Sequence, residues 1–386
     1  MYLWKMLAEG NKRKLSDQEI EEVIQRGKKY FEPYGRVDSF IAHVRYNLRA
    51  RYKTTMVFYY NRSSYAACEE FQTFMDEWCL NDYNPHRGQD GIYEIPIVPS
   101  ESYIDYALYW FGKSFEIANN KGVYHDNYFF IPSFNTMMTN AYEKEDGTIM
   151  PSTGVWQLRE FQKRIFTFMN ERGMEPIVMV HNTSTQILPL YSFATVQYDW
   201  EWRYSQGDVQ NRFPRKYILL VSTGELAGTW PVLLSDHGPQ ANDPWIQKTY
   251  IAVTLVHDLL GPVATWVPEL GKLWQKYREP FLKLAEEKGM IAYRYWDERE
   301  QPIRAENPDL PGIVYSLPGK EALYAITSYS SKDEEAIVHI KPDVLGFRSY
   351  KVIDVDTGEE LKVENNTVRF ILKKHDLKVF RLVPAE

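Results

Sequence analysis

With 386 residues, 44% of them hydrophobic, the chain can bury a sizeable core and is longer than one typical compact domain, so disorder is not the default. Its net charge of −7 is carried without any long basic block, which argues against nucleic acid as the main partner. No apolar run is long enough to cross a bilayer and no signal peptide is visible.

Residues 1–35 read as helical, with Ser16 and Asp17 as caps of a charged amphipathic segment running toward Lys29. Residues 54–60 form a strong strand, and 65–80 return to helical spacing through Phe71, Phe74, Met75 and Trp78. Cys68 and Cys79 both fall in that helix, about 16 Å apart, so they read as free buried thiols. Residues 91–98 are strand-like, but Pro96 fits a strand end better than a central strand. Ile104, Leu108, Phe111 and Phe115 set a helix over 105–118, and Lys121-Gly-Val-Tyr-His-Asp-Asn127 follows as a turn and a short strand. Helix, turn, buried strand and then polar groups is how a (β/α) barrel brings catalytic residues to its mouth.

Residues 128–152 are polar and aperiodic, as befits a loop that shapes a cleft. A helix over 155–169, closed by Gly173, precedes a strand at 176–180 that ends in His181-Asn-Thr-Ser184. A further strand at 194–201 ends with Asp199 and Glu201. Residues 217–221 and 231–234 read as strand or helix, and 245–260 as a helix ending at His257-Asp258. Five or six of eight barrel strands are legible, so the barrel is either incomplete at its N-terminus or poorly patterned early on. After residue 288 the period becomes two, with short strands at 312–316, 322–327, 336–340, 350–354, 367–372 and 378–382. The expectation is a TIM-type (β/α)8 barrel over 1–287 and a small antiparallel β-sandwich over 288–386.

Aromatic residues make up 15% of the chain, with 28 Tyr and 11 Trp, many beside polar residues near strand ends. Sugar rings have apolar C–H faces edged by hydroxyls, so aromatic platforms beside carboxylates and amides fit a saccharide substrate. Glycosidic hydrolysis needs two carboxyl groups, one protonating the departing oxygen and the other attacking the sugar or activating water. Glu201 is assigned as general acid and Asp126 as nucleophile or base, with Asp199, which shares a strand face with Glu201, as a substitute. His181 and Asn182 would orient sugar hydroxyls or the acid. Tyr124, His125, Asn127, Trp202 and Asp258 complete the substrate-contact candidates.

Two alternatives stand beside this. His125, Asp126, His181 and His257 are suitable metal ligands, although none shows the paired spacing of a His-Glu-x-x-His motif, and no metal or other cofactor is expected. A non-catalytic glycan-binding protein on a degenerate barrel would need the same aromatic surface. No phosphate-binding glycine loop follows a strand and no Gly-x-Ser-x-Gly elbow occurs.

The order of several pieces resembles uncharacterised bacterial proteins related to glycoside hydrolase family 123. They are Gly122-Val-Tyr-His-Asp-Asn127, residues 151–164, His181-Asn-Thr-Ser184, residues 188–193, Glu201 and Leu255-Val-His-Asp258, and the match covers roughly residues 90–386. The resemblance implies a TIM-type barrel, a C-terminal β-domain and glycan hydrolysis. Characterised hexosaminidases of that family use an adjacent Asp-Glu pair with the substrate's acetamido group as nucleophile. Here the dipeptide is Asp126-Asn127. Asn cannot act as an acid, which shifts that role to Glu201. An export signal trimmed from the sequence would place the protein in the periplasm or outside the cell, and otherwise the cytoplasm is expected.

Overall fold

The computed structural model describes residues 2–30, 32, 37–52, 57–61, 63–65, 69–80, 94–181, 187–199, 207–221, 228–234, 240, 242–259, 261 and 268–385. The chain forms two compact units, Met1–Tyr198 and Asp199–Glu386. No helix among the described residues is long and apolar enough to cross a membrane.

The first unit begins with three helices, α1 (Tyr2–Lys12), α2 (Asp17–Gly27) and α3 (Val37–Ala50). Ser16 caps α2 by a reciprocal exchange: its hydroxyl accepts the Glu19 N–H, and the Glu19 carboxylate accepts the Ser16 N–H at 2.9 Å. Ile20, Val23 and Ile24 of α2 then bury against Val44 and Leu48 of α3.

A parallel sheet follows, with β1 (Phe58–Asn61), β2 (Gly122–Asp126), β3 (Ile177–His181) and β4 (Val196–Asp199) side by side in that order. In register, Tyr59 pairs with Tyr124, Tyr124 with Met179, and His181 with Tyr198. Parallel strands need crossovers, and helices α4 (Glu101–Ala118) and α5 (Val155–Glu171) precede β2 and β3. Ser100 caps α4 at the Tyr103 N–H, and Asn119 ends it in the left-handed conformation at φ 51°. The α4 stripe of Ile104, Ala107, Leu108 and Phe111 packs with Phe161, Ile165 and Met169 of α5 on Val123 and Val178 of the sheet. Each large apolar side chain buried there stabilises the unit by about 1.5–3 kcal/mol. Gly122 sits where β2 approaches β3 closely: a Cβ there would lie 2.2 Å from the Ile177 carbonyl oxygen.

Between β1 and α4 the structure departs from one continuous helix over 65–80. Two short helices, Glu69–Thr73 and Met75–Trp78, are separated at Phe74. Cys79 lies just beyond them, free and buried, with its thiol pushed up to about 11 by burial and then by the charge of Asp76. Cys68 lies outside the described residues. The strand Glu94–Pro96 stops at its proline and pairs with Ser63–Tyr65 rather than joining the parallel sheet.

In the second unit the two segments left open by the sequence resolve as a helix, Arg215–Val221, and a strand, Trp230–Leu233. Helix α6 (Pro244–Val256) is capped by the Asp243 carboxylate, which accepts the Trp245 N–H at 2.8 Å. It is buried almost all round, as a mostly apolar helix must be. Antiparallel strands follow: β5 (Ile291–Arg294), β6 (Ile303–Ala305), β7 (Gly312–Leu317), β8 (Glu321–Thr327), β9 (Glu334–Ile340), β10 (Tyr350–Asp354), β11 (Thr367–Leu372) and β12 (Leu377–Pro384). They build a five-stranded sheet in the order β5-β7-β8-β12-β10 and a three-stranded sheet in the order β6-β9-β11. Val314, Tyr324, Ile326 and Phe380 of the first meet Ala336, Val338, Val368 and Leu372 of the second, which makes the sandwich core. The opposite face of the five-stranded sheet, through Ile313, Leu323, Ala325 and Val379, packs on α6. A parallel α/β part followed by antiparallel sheets agrees with the expected order of architectures. The described residues do not trace a closed eight-stranded cylinder.

Candidate active site

Strand alternation decides which side chains meet. Successive residues of a strand point to opposite faces, so Tyr59, Tyr124, Asp126, Met179, His181 and Tyr198 share one face of the parallel sheet. The other face carries Tyr60, Val123, His125, Val178 and Val180, and helices α4 and α5 pack on it.

Asp126 ends β2, and its carboxylate collects three donors. Tyr59 Oη donates to Oδ2 at 2.7 Å, the Asn127 N–H donates to Oδ1 at 2.9 Å, and His181 Nδ1 lies 2.9 Å from Oδ1. A carboxylate only accepts, so this His181 nitrogen carries the proton and donates. The Tyr124 hydroxyl lies 3.1 Å from the same nitrogen. Burial by itself would raise the Asp126 pKa. The hydrogen bonds from His181, Tyr59 and the Asn127 amide, with the charge of His181, outweigh it and hold the carboxyl below its usual range. Asp126 therefore stays ionised near neutrality without an arginine or lysine beside it among the described residues.

Backbone geometry fixes the pair. The Tyr128 N–H donates to the His181 carbonyl at 2.7 Å, which ties the turn after β2 to the end of β3. Asn127 makes that turn at φ 53°, a left-handed conformation that Asn tolerates better than most residues. This supplies a conformational reason for Asn at position 127.

Aromatic rings form a row beside the carboxylate. Tyr124 lies 5.6 Å from Tyr59 and 5.6 Å from Tyr198, centroid to centroid, and is roughly parallel to the His181 ring at 6.4 Å. Tyr59 is 57% exposed, so its ring is presented outward although its hydroxyl is engaged with Asp126. Burial raises the Tyr198 pKa, with a further contribution from Tyr46, so the phenol stays protonated. Tyr59 and Tyr198 were not singled out as site residues from sequence; their strand register with Tyr124 and His181 is the signal that finds them.

Of the expected site residues, Tyr124, Asp126, Asn127 and His181 come together. His125 does not join them. It has no exposed surface, accepts from Gln162 Nε2 at Nδ1 (2.7 Å), and packs with Tyr60, Tyr128 and Phe161 on the helix-covered face. A ring in that position cannot touch a sugar hydroxyl directly, and strand alternation is the reason. The same alternation separates His125 from Asp126 and His181 as metal ligands, and no cluster of three or more candidate ligands occurs among the described residues. Asn182, Glu201 and Trp202 lie outside the described residues, as does the side chain of Asp199 at the end of β4.

Asp258 belongs to the second unit. Its carboxylate is held there by Arg294, with Nε and Nη2 each 2.7 Å away, and by the Tyr315 hydroxyl. The neighbouring His257 is fully buried, bonded to the Val253 carbonyl at 2.8 Å and to the Tyr295 hydroxyl at 2.9 Å, and burial pushes its pKa down to about 4.

No protein-family profile matches the chain, and no curated protein sequence does. Solved structures do. A noncanonic maltogenic α-amylase, AmyB, from Thermotoga neapolitana aligns over 89% of this chain and 80% of its own with a TM-score of 0.52 at 11% identity. A GH27 β-L-arabinopyranosidase from Geobacillus stearothermophilus aligns over 91% of this chain and 77% of its own with a TM-score of 0.53 at 12% identity. At such identities the likeness is one of fold alone. The chain thus shares its fold with these solved structures, and its parallel sheet followed by antiparallel sheets is consistent with that likeness.

Proposed function

We propose that the chain is a glycoside hydrolase acting on an oligo- or polysaccharide, with residues 1–287 as its catalytic barrel and 288–386 as an accessory β-sandwich. The observation that carries this reading is Asp126. It is an ionised carboxylate at the C-terminal end of a parallel strand, oriented by Tyr59 and His181 and flanked by a row of tyrosine rings, in a fold shared with glycoside hydrolases. C-terminal strand ends are where barrels of this kind carry chemistry.

In this reading Asp126 is the nucleophile or general base, and its lowered pKa keeps it in the ionised form that either task needs. His181 and Tyr59 position it, and Tyr124 and Tyr198 present ring faces to the sugar. Glu201, two residues beyond Asp199 in sequence, is the general acid, with Asp199 as its substitute. Asn182, Asn127 and Trp202 stay as substrate contacts. The kinship with glycoside hydrolase family 123 rests on the order of sequence pieces from Gly122 to Asp258. The departure at Asn127 removes the acid of that family's pair and leaves N-acetylhexosamine specificity without support.

The test is release of reducing sugar from a panel of aryl glycosides and plant, algal and host glycans. Wild type should hydrolyse at least one of them, whereas Asp126→Asn and Glu201→Gln should each lose about 100- to 10,000-fold in turnover while melting like wild type. Full activity in both variants would sink the assignment. Glycan binding by calorimetry with no hydrolysis of any substrate would favour the second reading, a binding protein on the same fold, for which Asn127 in place of an acid is the supporting observation.

A further inference from the structure

We infer that the second unit carries its own binding site for an acidic saccharide, in a cleft where Arg215 and Arg304 receive the sugar carboxylate. The cleft has a volume of about 190 Å³ and lies beside strand β6. Among the described residues its fully charged lining groups are Arg215 and Arg304, no carboxylate lines it, and Gln301 and Asn307 add amides. Ile303 and Ala305 are buried in the sandwich, so alternation along β6 turns Arg304 outward. Neither arginine makes an ion pair among the described residues.

Arg215 is held in place before any ligand arrives. Arg215 donates to the Pro308 carbonyl and holds its guanidinium 5.7 Å from the centre of the Tyr295 ring. Tyr295 is itself fixed through its hydroxyl at His257 and by the edge of Trp296, 4.9 Å away. The placed Arg215 guanidinium, with Arg304 turned outward beside the same cleft, matches a carboxylate, whose two oxygens accept parallel N–H bonds.

A second cleft, of about 570 Å³, shares Tyr295, Gln301 and Arg304 with the first. There Arg299 pairs with Asp297 at 2.6 Å and Lys341 with Glu300 at 2.6 Å, the Glu306 carboxylate lies 2.7 Å from His339 Nε2, and Glu298 adds a further carboxylate. Such a polar surface suits neutral hydroxyls, so a uronide would place its acid in the smaller cleft and its next ring in the larger one. Arg215 already covers the Tyr295 ring, which disfavours a flat nucleobase as ligand. The inference does not depend on Asp126 being catalytic.

The test is calorimetric titration of the full chain with galacturonate and glucuronate disaccharides, the matching neutral disaccharides, and sodium sulfate. At least one uronide should bind and weaken with added salt, neutral sugars and sulfate should bind at least tenfold more weakly, and Arg304→Gln should cost tenfold or more in uronide affinity. Arg215→Gln should do the same if its melting temperature is unchanged. Asp126→Asn should bind like wild type whether or not wild type hydrolyses any glycan. The site is disproved if no uronide binds, if neutral sugars or sulfate bind as tightly, if Arg304→Gln changes nothing, or if Asp126→Asn abolishes the binding.

Discussion

Asp126 and Asp258 are both largely buried carboxylates at the ends of regular elements, each next to a residue with positive φ or adopting one itself, and each accepts a tyrosine hydroxyl. They differ in what else holds them. Asp258 is neutralised by a two-point contact from Arg294, so its charge is spent on holding the second unit together. Asp126 is surrounded by a phenol, an imidazole and a backbone amide, which stabilise the anion with no arginine or lysine beside it among the described residues. Hydrogen bonds and the nearby imidazole hold the first charge, whereas a guanidinium holds the second.

The sharpest way to break this contrast is the same substitution in both places. Asp126→Asn should leave the melting temperature nearly unchanged and remove most turnover, on the scale given above. Asp258→Asn should do the reverse, destabilising the protein by about 1–2 kcal/mol, because Arg294 loses its partner in a partly exposed setting, while specific activity per folded molecule stays near wild type. Denaturant melts and turnover measured on both variants would reverse the roles assigned here if the effects came out exchanged.

Next in size is a pH effect confined to the second unit. His257 has a folded pKa of about 4 against an unfolded value near 6.5, so the folded state resists protonation that the unfolded chain accepts. Its contribution is fully present above pH 6.5, falls as pH drops from 6.5 toward 4, and is gone below that. The total is about 3 kcal/mol at most. His257→Gln should flatten that part of the stability profile, and an unchanged slope would count against the buried neutral imidazole.

The smallest expected effect is at Tyr59. Tyr59→Phe deletes one of the hydrogen bonds that hold the Asp126 pKa down, so the acid limb of the pH–rate profile should move to higher pH. Turnover should fall several-fold at acidic pH and change little near neutrality. An acid limb that stays in place would show that Asp126 is not the group it reports.

Much of this was legible in the residues because the signals are local. The strand ending at Asp126, the helix from Val155 and all six strands named after Gly312 lie within a few residues of where alternation and helical spacing put them. Two misreadings have physical causes. The apolar spacing over 65–80 suited a single helix, but it does not register a break such as that at Phe74. His125 entered the substrate-contact set because it neighbours Asp126 in sequence, although neighbours on a strand face opposite ways. Helix α3 went unassigned, and so did the pairing of Tyr59 with Asp126. Tyr59 and Asp126 lie 67 residues apart, and only the parallel register brings them together.

Gly122 has a consequence for anyone who would re-engineer this protein. Because the Ile177 carbonyl fills the space where a side chain would begin, β2 cannot carry even a methyl group there without being pushed off β3. Asp126 stands four residues up one rail and His181 four residues up the other, so the gap between them is set at the bottom of the ladder. A library that randomised only the visible rim would leave that distance alone, whereas one careless change at position 122 would reset it from below.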